Sequence, residues 1–228
     1  MNREKIYYLG HSAFVVEADD YFFIFDAQDE NYPSEFFDLN KLSDKKVRVF
    51  FSHRHHDHYC EKLHAACANL SNAFIFLGNF ESGICKNTKT LKPRESFEFD
   101  GMTARAADST DDGVCFLVQT EKITIFHAGD NADWGDGEQN AAYYGEIDYL
   151  AGLNLKIDLA FIPVCTYSGR RPEDMTRGAV YAIEKLKPAS AFPMHANGRE
   201  FLYEEFEKDL RKTGSEAKIV CAKRAGLL

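Results

Sequence analysis

The sequence predicts an α/β chain built from two similar halves, and three observations carry that prediction. In the first half, the apolar run Ala13 to Val16, a polar turn at Asp19-Asp20 and the apolar run Tyr21 to Phe25 end at Asp26. In the second, Val114 to Val118, a turn at Thr120-Glu121-Lys122 and Ile123 to Phe126 lead to Asp130. Each is an apolar strand, a charged turn and a second apolar strand delivering an aspartate at its end. Between and after these hairpins stand amphipathic helix candidates: Glu61 to Asn69, Gln139 to Leu150, Pro172 to Leu186 and Glu200 to Lys212.

Pro172-Glu173-Asp174 marks a helix start, because proline tolerates the first turn and acids favour the positive helix end. Gly214 is the expected stop of the last helix. Val47 to Phe51 and Leu159 to Val164 are short apolar runs, the first of which reads as a strand. No linker, low-complexity tract or composition break divides the chain, so residues 1–228 are expected to form one domain.

Composition bounds the function. A hydrophobic content of 45%, with 19 Phe and 11 Tyr, supports a densely packed core. A formal net charge of -9 argues against a nucleic-acid partner, since phosphate binding needs clustered Lys and Arg and the longest basic run is Lys45-Lys46. No stretch approaches the roughly 18 apolar residues of a membrane span. Met1 to Lys5 leads into a strand rather than a signal-peptide core, so a soluble, cytoplasmic protein is expected. The six cysteines form no CxxC pair and read as reduced thiols. Cys60 and Cys165, the two placed to approach a site, read as packing residues.

The chemistry is concentrated in His53-Arg54-His55-His56-Asp57-His58, directly after the Val47 to Phe51 run. Imidazole and carboxylate suit borderline divalent ions such as zinc, manganese or iron, whereas a structural zinc site would more often recruit thiolates. An extended segment would point His53, His55 and Asp57 one way and His56 and His58 the other, so one loop could serve two adjacent ions. A solvated, histidine-rich loop is the bland alternative, and the alternation with a carboxylate at ligand spacing weighs against it.

His53-x-His55-x-Asp57-His58 after a strand resembles the first metal motif of the metallo-beta-lactamase superfamily of hydrolases. Three further segments agree in order. Ile6 to Glu17 is similar to the first hairpin of the branch with ascorbate-6-phosphate lactonase-like and phospholipase D-like members, Ile125 to Asp130 resembles the strand and Gly-Asp turn supplying the bridging carboxylate, and Ala191 to His195 resembles the late strand with the last histidine. The resemblance implies a four-layer αββα sandwich. It also implies His53 and His55 as ligands of a first site, Asp57 and His58 of a second, Asp130 as the bridge and His195 as the closing ligand. In the superfamily a third histidine completes the first site; counting back from Val114 puts Ser109 there, so that site is expected to be weakened, with Asp108 or Asp111 as possible substitutes.

The resulting expectation is a hydrolase using one or two divalent ions, zinc first, on an ester, lactone, thioester or phosphodiester bond of a small-molecule substrate, with Asp57 also orienting water or carrying its proton. The alternative is a non-catalytic metal-binding or sensory protein of the same fold. His11 reads first as structural, with contact to substrate or to a ligand's outer side as the alternative; His127 is expected to buttress Asp130, and His64 to be solvated. His56 fills the motif's variable position. Trp134, with Asp133 and Gly135-Asp136-Gly137, reads as a rim or lid or as a plain surface loop. Ser168 to Arg171 could meet an anionic group or anchor a helix.

Overall fold

The structure is a computed structural model that describes residues 4–135 and 137–228, with nothing said of the side chains of 137–139. Asp136 of the proposed rim and residues 1–3 therefore lie outside the described residues. Strands β1 (Lys5–Gly10), β2 (Ala13–Ala18), β3 (Tyr21–Phe25), β4 (Lys46–Phe51), β5 (Ala73–Gly78) and β6 (Thr88–Leu91) make the first sheet in that order. Strands β7 (Ser96–Phe99), β8 (Met102–Asp108), β9 (Val114–Thr120), β10 (Thr124–His127), β11 (Leu159–Pro163) and β12 (Ser190–Met194) make the second, and β13 (Gly226–Leu227) returns to pair with β1.

The two halves repeat one plan. The β2–β3 hairpin is antiparallel, with Val16 opposite Phe23, and β4, β5 and β6 then add in parallel. The β9–β10 hairpin is antiparallel, with Val118 opposite Ile125, and β11 and β12 add in parallel. Period-two alternation decides which residues meet. Phe23, Phe25, Phe50 and Phe76 face the second sheet, with Phe25 and Phe50 stacked at 5.0 Å and Phe50 and Phe76 at 4.7 Å. Their neighbours Phe22, Ile24, Val49 and Phe51 turn outward, onto Leu63 and Cys67 of α1 (Glu61–Ala68).

On the far side, α2 (Gly137–Gly152) and α3 (Glu173–Leu186) cover the second sheet, giving the expected layers of helix, sheet, sheet and helix. Helix α3 starts after Pro172, and α4 (Phe201–Lys212) ends at Thr213 with Gly214 following at φ +83°, as the sequence predicts. None of the described helices is long and apolar enough to cross a membrane.

Where β4 ends, the two sheets touch. The Val114 backbone N–H donates to the Ser52 carbonyl at 3.1 Å, and three glycines make that approach possible. A Cβ on Gly78 or Gly113 would stand 2.0 Å from the Ser52 carbonyl oxygen, and one on Gly129 would stand 2.7 Å from the Ser52 Cβ.

Candidate metal centre

The candidate ligands sit at the carboxyl ends of the parallel strands of both sheets. Beyond β4 the chain does not stay extended: the N–H groups of His58 and Tyr59 both donate to the His55 carbonyl at 3.0 Å. That turn corrects the odd-and-even division expected of an extended segment. It sends His53 and His55 to one side, where they group with Asp130, and Asp57 and His58 to the other, where they group with His195 and His11. The division matches the one implied by the metal motif. His11 is an addition to it.

Asp130 stands between the groups. Its Oδ1 lies 3.1 Å from His58 Nε2 and 3.2 Å from His195 Nε2, and its Oδ2 lies 3.7 Å from His53 Nε2. In each of these imidazoles the other nitrogen is already engaged. His58 Nδ1 is 2.8 Å from Asp26 Oδ2, His195 Nδ1 is 2.7 Å from the Cys165 carbonyl, and His53 Nδ1 is 2.9 Å from Ser52 Oγ. Ser52 Oγ itself donates to Asp26 Oδ2 at 2.7 Å, so His53 Nδ1 is the donor in that pair. Carbonyl and carboxylate oxygens only accept, so the network puts the proton on Nδ1 in all three histidines. Three Nε2 lone pairs therefore face carboxylate lone pairs, and these nitrogens and Asp130 Oδ1 are buried without a hydrogen-bond partner. Such a donor set fits a divalent cation.

The electrostatics show a negative field at the centre that a bound cation, or without one a second proton on His58 Nε2, would answer. Burial alone would lower His58, but the carboxylates of Asp130 and Asp26 raise it well above the ordinary imidazole range. Burial would raise Asp130, yet His58 and His195 hold it well below the usual carboxylate range. Asp57 is likewise lowered by His11 and His58 against its own burial. His53, with burial dominant, is pushed down to about 4. Positive φ at His11 (52°), Asp26 (44°), Gly129 (54°) and His195 (75°) shows where the backbone bends to assemble the group.

Asp26 is a candidate functional residue that sequence reasoning missed. It is buried, accepts from both the Ser52 N–H and Ser52 Oγ at 2.7 Å, and orients His58. The signal was present, because Asp26 ends the first hairpin as Asp130 ends the second. His127 supports the Gly129 turn, accepting the Gly129 N–H at Nδ1 (3.2 Å) and donating from Nε2 to the Ser12 carbonyl (2.9 Å). His64 is buried rather than solvated, because its ring lies between the Tyr59 hydroxyl (3.1 Å) and Thr88 Oγ1 (3.0 Å).

The loop expected to replace the third histidine is arranged differently. Ser109 accepts the Asp111 N–H at 3.3 Å and lines a separate cleft with Asp108, Arg94 and Glu146. The carboxylate nearest the first group is Asp112, with Oδ2 3.3 Å from His55 Nε2 on the exposed side, while Asp111 lines the main cleft. Asp108 and Asp111, the proposed substitutes, join neither ligand group.

Above the ligands opens a cleft of about 520 Å³, with Asp57, Asp130 and His195 at its base and Thr110, Asp111, Trp134, Tyr167, His55 and His56 around it. Trp134 is thus at the rim, its ring edge-on to His195 at 6.2 Å. Tyr167, which the sequence did not single out, is half exposed and brings its hydroxyl within 3.4 Å of His56. Arg171 anchors α4 by pairing with Asp209 at 2.6 Å. Cys60 accepts the Leu63 N–H at the start of α1, and the Cys165 thiol is buried, so both are packing residues.

Comparison with known proteins follows the same outline. Residues 5–195 match the family model described as beta-lactamase superfamily domain. A metal-dependent hydrolase of Pyrococcus horikoshii is 28% identical over 239 residues, covering 96% of this chain and 96% of its own. One from Thermococcus kodakarensis is 26% identical, covering 95% of each. Among solved structures, a novel metallo hydrolase from the archaeon Ignicoccus hospitalis aligns with a TM-score of 0.72 at 20% identity, over 99% of this chain and 97% of that one. The metallo-beta-lactamase fold protein YhfI from Bacillus subtilis aligns at 0.65 and 13% identity, over 99% and 98%.

Proposed function

The chain belongs to the beta-lactamase superfamily, among relatives named metal-dependent hydrolases, and from that premise we propose that it hydrolyses an ester, lactone, thioester or phosphodiester bond of a small molecule. The divalent ions, zinc first and manganese or iron next, would be held by His53, His55, Asp57, His58, Asp130 and His195. The observation that carries the reading is the convergence of three Nδ1-protonated imidazoles on the two oxygens of Asp130. When bound, such an ion supplies the Lewis acidity that activates water and polarises the scissile oxygen.

The chain's own residues do the rest. Asp57 lies at the base of the cleft with its carboxylate kept ionised, placed to accept a hydrogen bond from water and orient it, while the lowering that keeps it ionised makes it a weak base for carrying the proton. Trp134 and Tyr167 provide aromatic walls for a substrate. None of the described residues lining the cleft is Lys or Arg, while Asp57, Asp111 and Asp130 are acidic.

Metal content of protein purified without added metal, followed by assay on a panel of ester, lactone, thioester and phosphodiester substrates, tests the reading. Bound ion lost in His195→Ala and turnover abolished by chelation are expected; protein that holds no ion would sink it. The second reading, a metal-binding or sensory protein, is favoured by the ligand group of His53, His55 and Asp130, which contains no third histidine among the described residues. Stable ion binding with no turnover across the panel would select it.

A further inference from the structure

We propose that His11 is a direct ligand of the ion held by Asp57, His58, His195 and Asp130, and that this side of the centre binds its ion more tightly than the His53 and His55 side. The inference rests on the metal-dependent reading above and says how that centre is loaded.

His11 sits in the turn between β1 and β2, with its backbone at φ +52°, and is 5% exposed. The His195 N–H donates to the His11 carbonyl at 3.0 Å, which ties a turn of the first sheet to the end of β12 in the second. The two imidazoles lie 4.1 Å apart, centre to centre. His11 Nε2 is 3.3 Å from Asp57 Oδ2, and ligand atoms of His11, Asp57, His58 and His195 all fall within 4.8 Å of one another.

What separates His11 from a packing histidine is its unsatisfied nitrogens. His64 and His127, buried outside the ligand groups, each have both ring nitrogens engaged by a hydroxyl, a carbonyl or an N–H. His11 Nδ1 is buried with no partner, and Nε2, also buried, faces Asp57 Oδ2 at 3.3 Å without the alignment of a proper hydrogen bond. Leaving a buried polar group unpaired is costly, so the fold has reason to bury this ring only if something else engages it. The neighbours it faces are the other candidate ligands of one ion.

The other side of the centre is poorer. His53 and His55 share Asp130, but the His55 ring is half exposed and its nearest further carboxylate, Asp112, is in solvent. Asp57, His58, His195, Asp130 and His11 would surround an ion with three imidazoles and two carboxylates, a mixture that zinc, iron and manganese all accept. His53, His55 and Asp130 offer two imidazoles and a shared carboxylate. The chain would therefore fill the His11 side first and hold a second ion much more weakly.

Two variants test this by metal binding alone. In His11→Ala, competition of the first zinc ion against a chromophoric chelator should show at least about a tenfold loss of affinity. In His11→Cys loaded with cobalt, a thiolate-to-cobalt charge-transfer band should appear in the near ultraviolet, absent from cobalt-loaded wild type. A residue that merely hydrogen-bonds Asp57 could lower affinity but could not produce that band, so an affinity loss with no band overturns direct ligation. So does a first-ion affinity in His11→Ala within about threefold of wild type, below the loss typical of even an outer partner. If His11→Ala fails to fold, the band in His11→Cys decides. Wild-type protein that takes up neither ion would overturn the metal-dependent reading itself, a result distinct from either outcome in the variants.

Discussion

Asp26 and His58 form a fully buried pair, with Oδ2 2.8 Å from Nδ1, and neither residue is reached by solvent. The pair fixes which nitrogen of His58 carries the proton and so which one faces Asp130. Asp26→Asn keeps the shape but removes the charge that holds this arrangement. Affinity for the first ion should fall by about 10–100-fold while the fold persists, as read by chelator competition beside far-ultraviolet circular dichroism. An unchanged affinity would mean that Ser52 and the backbone alone align the ring.

Gly129 precedes the shared carboxylate and combines φ +54° with a Cβ position 2.7 Å from the Ser52 Cβ and 2.9 Å from its Oγ. Gly129→Ala should therefore destabilise the protein by about 2–4 kcal/mol, from left-handed backbone strain together with overpacking. The urea midpoint measures it. A shift below about 0.5 kcal/mol would show that the sheets can part at Ser52 without cost.

His64 predicts an acid-sensitive component of stability. Burial lowers it to about 4 from the ordinary 6.5, so the folded chain favours the neutral ring and the unfolded chain takes up the proton first. The contribution is complete above the unfolded value and is lost as pH falls from about 6.5 towards about 4. Between about pH 7.5 and about pH 5, wild type should lose about 2 kcal/mol relative to His64→Gln, which cannot protonate. A stability difference between the two proteins that does not vary with pH would contradict this.

Tyr167 stands over the cleft with its ring 6.3 Å from that of His11 and makes no bond to the central carboxylates. Tyr167→Ala should raise KM about five- to tenfold on the best substrate of the panel and leave kcat within about twofold, the pattern of lost uniform binding. A kcat loss matching the loss in kcat/KM would place the ring in the transition state instead.

Much of this architecture is legible in the chain because it is local. Hairpins and helices announce themselves through periods of two and 3.6 residues, and Glu61 to Asn69 or Pro172 to Leu186 needed no knowledge of neighbours. His53 to His58 were visible for the same reason. What was hidden depends on surfaces meeting. His64 lies on a helix whose inner face is set by Tyr59 and by Thr88 on β6, 24 residues away, so sequence alone left it in solvent. His11 and Asp26 gain their roles only when β1, β3 and β12 are brought to one edge. The acids from Asp108 to Asp112 could not be ranked, because Gly113 packs against Ser52 and His53 and that contact aims the loop.

The candidate ligands come from both halves of the sandwich, His11, His53, His55, Asp57 and His58 from the first sheet, Asp130 and His195 from the second. An ion held among them would act as a rivet through the two sheets. At the opposite edge the sheets are already fastened, since Arg48 pairs with Asp100 at 2.5 Å and the Tyr21 hydroxyl donates to the Asp100 carbonyl at 2.6 Å. The ligand end is joined without the ion only by bonds such as Val114 N–H to the Ser52 carbonyl and His195 N–H to the His11 carbonyl, so stripping the ion should loosen that end more than the Asp100 end. Amide exchange should quicken on chelation at residues 9–13 and 194–196 and stay level near Asp100. The thermal midpoint should climb with free metal, by the equivalent of about 2.7 kcal/mol at a hundredfold excess over Kd.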